Sequence, residues 1–160
     1  MREPKYLTYA RSFNGQSEYK STNKAPFILR MLTKLKATWL YGQPWCGFFV
    51  ADCLAEFKWP IPKHWYRARA WLDYGIKIDA PCLGCIVIFN RAGGGHVGFV
   101  VGRDYAGQLL VLGGNQANKV SIAPFAEDRI LGYRLPTGYW MDRLPLPRIS
   151  LTADLSYNES

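Results

Sequence analysis

Gln43-Pro44-Trp45-Cys46-Gly47-Phe48-Phe49-Val50-Ala51 is the stretch that decides how this chain is read. Proline suits the start of a helix, where its missing N–H is no loss. From there the apolar residues Cys46, Phe49, Val50, Cys53, Leu54 and Phe57 recur at helical spacing. The stretch predicts a helix with Cys46 in its first turn. A free thiol has a pKa of about 8.5, and the partial positive charge of a helix N-terminus favours the thiolate. The N–H groups left unpaired in a first turn also suit an oxyanion. The plain alternative is a buried cysteine on an apolar stripe, and Cys53 is the example of it in the same helix.

Working outward, a second helical stripe precedes this one, with Ile28, Met31, Leu32, Leu35 and Trp39 on one side of residues 27–39. Residues 67–74 read as a short third helix closed by Gly75. After Pro81 the pattern changes to strands at 85–89, 96–101, 108–112, 119–122 and 130–134, with turns at Gly93-Gly94-Gly95 and Asp104-Tyr105-Ala106-Gly107. Helices first and an antiparallel meander after them make an α+β domain. Residues 1–134 are expected to form one catalytic domain, and residues 135–160, with Pro136, Pro145 and Pro147, an extended or disordered tail.

A nucleophilic thiol needs a base, and the chain holds only two histidines, His64 and His96. His64 lies in the proline-rich connection Pro62-Lys63-His64-Trp65. His96 opens a strand straight after the triple glycine, where backbone can come close to a helix end, and is the preferred base. A third residue would orient the ring by accepting a hydrogen bond from its second nitrogen. Asn115, in Gly113-Gly114-Asn115-Gln116, follows the strand expected to pair with the His96 strand and is the candidate; a turn asparagine is its ordinary alternative. In chain order the set reads Cys46, His96, Asn115, the order of papain-like enzymes.

The formal net charge of +8 over 160 residues points to an anionic partner. The basic residues are scattered and no nucleic-acid-binding motif is present, so no specific nucleic-acid partner is expected. Cys82-Leu83-Gly84-Cys85 has the spacing of half a zinc site. A zinc site would need two further ligands, and the four cysteines read instead as free thiols, Cys85 as a small apolar residue starting a strand. No apolar run approaches the ~20 residues of a membrane-spanning helix.

Pro44-Trp45-Cys46-Gly47-Phe48-Phe49-Val50-Ala51 resembles the nucleophile motif of the CHAP and NlpC-like cell-wall hydrolases, and in particular a group of small single-domain proteins of phages and bacteria. Arg67-Ala68-Arg69-Ala70-Trp71-Leu72, Ile86-Val87-Ile88-Phe89-Asn90-Arg91, Gly95-His96-Val97-Gly98-Phe99, Leu112-Gly113-Gly114-Asn115-Gln116 and Leu131-Gly132-Tyr133-Arg134 continue the resemblance in order, over roughly residues 5–136. It implies a papain-like α+β fold, with helices packed on a short antiparallel sheet, and amide hydrolysis in peptidoglycan. Cys46 would attack, His96 would carry the proton and Asn115 would hold the ring, through a thioester and without metal or cofactor. Two positions depart from the family. Gly84-Cys85 stands where Gly-Asp is usual, and Gln43 stands where a small polar or acidic residue is expected.

A chain that opens Met1-Arg2-Glu3-Pro4-Lys5, with no hydrophobic stretch behind it, is expected to stay in the cytoplasm of the host cell until released to the wall. The resemblance then implies a phage endolysin, monomeric, with peptidoglycan and the anionic envelope as partners. An interbacterial toxin of the same chemistry and a non-catalytic wall-binding module are the alternatives. Trp45, Trp65 and Trp71 are candidates for a substrate groove, with core packing the plainer role for Trp71.

Overall fold

The structure is a computed structural model that describes residues 2–18 and 26–151. Three α-helices, α1 (Lys5–Arg11), α2 (Pro26–Lys34) and α3 (Cys46–Glu56), lead into six strands: β1 (Ile76–Ile78), β2 (Ile86–Arg91), β3 (Gly94–Arg103), β4 (Leu109–Gln116), β5 (Lys119–Phe125) and β6 (Ile130–Leu135). The strands form one sheet in the order β1-β6-β2-β3-β4-β5, antiparallel throughout. This is the expected α+β architecture, with two additions. Neither α1 nor β1 is expected from the sequence, because seven and three residues are too short to show a period.

α3 is apolar nearly all round and buried from Cys46 to Leu54, which makes it the central helix. Two glycines permit its close contacts, Gly114 with the sheet and Gly47 with the chain at Trp65-Tyr66. A methyl group on Gly114 of β4 would stand 2.8 Å from Phe49 Cβ and from the Trp45 ring. At Gly47 it would overlap the Trp65 carbonyl oxygen. The one charge buried in α3, Asp52, is paired with Lys34 at 3.0 Å and Arg30 at 3.3 Å, both from α2, and accepts from the Tyr9 hydroxyl of α1 at 3.3 Å. A buried carboxylate without such partners would be strongly unfavourable, so these pairs set how α1 and α2 lie against α3.

Two expected elements change. The stripe of residues 27–39 stops at Lys34, where Lys36 takes a left-handed φ of 58° and Ala37 N–H bonds the Leu32 carbonyl at 2.8 Å. That closure is a Schellman motif on a lysine. Trp39 therefore leaves the helix, sits in a 3-10 turn (Thr38–Leu40) and is 72% exposed. Residues 67–74 form a 3-10 helix (Ala68–Asp73) rather than an α-helix, with Trp71 Nε1 donating to the Trp65 carbonyl at 3.0 Å.

The sheet separates two apolar clusters. Ile86, Ile88, Val97, Phe99 and Leu112 pack with the helices, whereas Val87, Phe89, Val111 and Phe125 pack on the other face with Cys85. All four cysteines are free and buried. The chain beyond β6 runs as an extended arm to residue 151: Arg103 N–H bonds the Pro147 carbonyl at 2.9 Å and Ile149 N–H bonds the Arg103 carbonyl at 2.7 Å. Residues 152–160 of the expected tail lie outside the described residues. No helix among the described residues is long and apolar enough to cross a membrane.

Gly47→Ala tests the closest of these approaches. The carbonyl it meets is backbone and cannot rotate away, so the variant is expected to lose ~1–3 kcal/mol, read as a lowered midpoint in thermal denaturation.

Candidate active site

Cys46 is the first residue of α3. Trp45 precedes it as N-cap without a side-chain cap, and the first in-helix bond is Phe49 N–H to the Trp45 carbonyl at 3.1 Å. The N–H groups of Cys46 and Gly47 thus have no carbonyl behind them in the helix. Cys46 is 4% exposed and lines a cleft of about 560 Å³. Burial pushes its pKa up, against backbone hydrogen bonds from Val97, Gly47 and Cys46 itself and the positive charge of Arg91. Burial thus opposes the helix end, which on its own favours the thiolate, and biases Cys46 toward the neutral thiol.

The Val97 N–H places the sulfur beside the residue that follows His96 on β3. His96 itself is fully buried, stacked on Phe125 with ring centroids 5.4 Å apart and near Phe89 at 6.1 Å. Its Nε2 is 3.0 Å from Gln116 Oε1. The orientation of that amide follows from its other contacts. Gln116 Nε2 donates to the Val111 carbonyl at 3.2 Å and to the Ser121 carbonyl at 2.8 Å, so Oε1 is the atom left for the ring. His96 accordingly carries its proton on Nε2 and donates it to Gln116, which leaves the Nδ1 lone pair as the basic site. Nδ1 is buried and has no hydrogen-bond partner among the described residues. Burial, helped by Arg91 and Arg129 and opposed by the Gln116 bond, takes the His96 pKa down to about 4.

Asn115 does not orient the ring in this structure. The β4–β5 register shifts between Gly113 and Gln116, and Asn115 sits in the shift with φ 60°. A bulge of this kind breaks the alternation of side chains and turns Gln116, not Asn115, to His96. Ala117 and Asn118, with φ 54° and 62°, make the tight turn that follows. Asn115 instead lines a smaller pocket with Glu18 and Trp45, beyond Gln43 and Pro44, and its Oδ1 is buried without a partner among the described residues. Gln116 could have been found from the sequence only by placing that bulge, and nothing in Gly113-Gly114-Asn115-Gln116 does so uniquely.

The rest of the cleft comes from the 3-10 segments and the β2–β3 hairpin. Trp39 and Tyr66 stand edge to face on its rim, ring centroids 5.8 Å apart. Arg67, Arg69 and Arg91 line it as well. Trp45, Trp65 and Trp71, the groove candidates, are core residues at 2%, 9% and 0% exposure. His64 is exposed, bonded to the Tyr66 hydroxyl at 2.9 Å, and does not line the cleft.

Two outcomes are expected. Unfolded, a histidine titrates near 6.5, so between about pH 6.5 and 4 the unfolded chain binds a proton that folded His96 does not. Stability should therefore fall as pH drops through that window, by up to about 3 kcal/mol, and His96→Asn should flatten the slope in denaturant titrations at stepped pH. Gln116→Leu should lower kcat on a wall substrate by about tenfold or more with little change in KM, because the ring loses its orientation and not its substrate.

Residues 38–115 match the CHAP domain family, a segment that begins at the turn carrying Trp39 and includes Cys46, His96 and Asn115. No curated protein matches the chain. The helix-borne cysteine and the strand-borne histidine both fall within the matched segment, which is similar to the CHAP domain.

Proposed function

We propose that this protein is a cysteine-dependent peptidoglycan hydrolase, cutting the N-acetylmuramoyl-L-alanine bond or an amide within the stem peptide, and that it serves as a phage endolysin. The observation that carries the reading is the Cys46 thiol at the start of α3, opening on a cleft and touching the backbone beside a histidine whose tautomer is set by Gln116.

The pair starts neutral, as thiol and imidazole, so proton transfer accompanies attack. As Cys46 Sγ adds to the substrate carbonyl carbon, its proton passes to His96 Nδ1, and Nε2–H remains on Gln116. Sγ and Nδ1 must close to hydrogen-bond distance for this, a tightening common when a substrate arrives. The carbonyl oxygen takes up negative charge within reach of the first N–H groups of α3, where such a donor is typically worth about a hundredfold to a thousandfold. The imidazolium then returns its proton to the departing amine and leaves a thioester. Water, deprotonated by the same Nδ1, releases the acid and the free thiol. No step needs a metal or cofactor.

The wall-hydrolase reading is supported by the CHAP match over residues 38–115, and the endolysin role by the formal charge of +8, which suits an anionic envelope. The test is digestion of purified sacculi by the wild type and by Cys46→Ala, with released fragments identified by mass spectrometry. New L-alanine amino termini are expected for an amidase and split stems for a peptidase, lost in the variant in either case. An inert wild type on both Gram-negative and Gram-positive walls would overturn the reading.

A further inference from the structure

The Cys46 cleft carries charge of a single sign. Arg67, Arg69 and Arg91 line it and, among the described residues, no aspartate or glutamate does. Arg11, Arg30, Lys34 and Arg103, by contrast, each pair with an acid: Arg11 with Glu3, Arg30 and Lys34 with Asp52, Arg103 with Glu127. Cations gathered in one cavity repel one another, and each is partly desolvated by the walls. Such an arrangement is disfavoured for the empty protein and is relieved by an anion.

The three arginines have different roles. Arg69 is committed to the frame, its Nε donating to the Gly94 carbonyl at 3.0 Å and an Nη to the Asn90 side chain. Arg91, half-buried, supports the field: its charge is felt at both Cys46 and His96. Arg67 is exposed and lines the cleft, its guanidinium 5.7 Å from the centre of the Tyr66 ring, within cation–π range.

We propose that Arg67, backed by Arg91, forms a carboxylate-binding subsite, and that the preferred substrate carries a free carboxylate next to the amide that Cys46 attacks. The inference rests on the hydrolase reading and names its substrate class. In a wall stem peptide the nearest such group to either candidate bond is the carboxylate of the D-glutamyl residue, which exists free or as a carboxamide. A planar guanidinium takes a carboxylate through two parallel hydrogen bonds. The carboxamide keeps the shape but loses the charge and one acceptor.

The experiment compares two muramoyl tripeptides, identical except that the D-glutamyl carboxyl is free in one and a carboxamide in the other. Binding is measured by calorimetry on Cys46→Ala and cleavage on the wild type. The free acid is expected to bind about tenfold or more tightly, with a preference that shrinks as salt rises. Adding Arg67→Gln should bring the two ligands to parity, and Arg67→Lys should restore part of the difference. Thermal midpoints check that these exposed changes leave the fold intact. Equal binding of the two tripeptides, no binding of either, or a preference that survives Arg67→Gln overturns the subsite. Equal cleavage of both would sink the subsite and keep the hydrolase. Selective binding without cleavage by the wild type would do the reverse.

Discussion

The amide of Gln116 is held on its nitrogen side by the Val111 and Ser121 carbonyls, so its oxygen has one direction left, toward His96 Nε2. Both carbonyls belong to the β4–β5 ribbon that carries Gln116. The tautomer of the histidine is therefore written into the sheet rather than into the site. A ring held this way presents a bare Nδ1, and the ability of the pair to move a proton in a set direction depends on that one orientation. The bulge at Asn115 that aims Gln116 and the tight turn at Ala117-Asn118 serve the same end.

Electrostatics at the site is a contest between burial and dipoles, and burial wins. A helix N-terminus contributes about half an elementary charge, felt over the first turn, whereas removing a thiolate or an imidazolium from water costs far more. Aromatic faces on Phe89 and Phe125 make the His96 surroundings apolar, and the helix–sheet seam does the same for Cys46. The result is a thiol and an imidazole that are both uncharged at rest. Catalysis on this plan depends on general-base transfer during attack rather than on a standing thiolate.

The cleft above the thiol is built from segments with little regular structure. The 3-10 turn of Trp39 exists because Lys36 ends α2 early, and the Tyr66–Arg67 wall can approach α3 because Gly47 has no side chain. Short elements pinned by backbone bonds hold aromatic and cationic groups at a rim without giving them a core role.

The sequence by itself determined the broad architecture and singled out Cys46 and His96, the pair proposed to react. The apolar period after Pro44 and the alternating strands after Pro81 are local signals, and a first-turn cysteine with a single well-placed histidine leaves few other choices. Only the tertiary structure decided the rest. Which neighbour holds the ring depends on a bulge, and a shift of one residue reverses the face of every side chain in a strand. Trp39 reads as part of a helical stripe, but its exposure depends on a left-handed lysine three residues earlier. The protonation of Cys46 and His96 depends on how much water the fold excludes, a property of packing that no local pattern of residues carries.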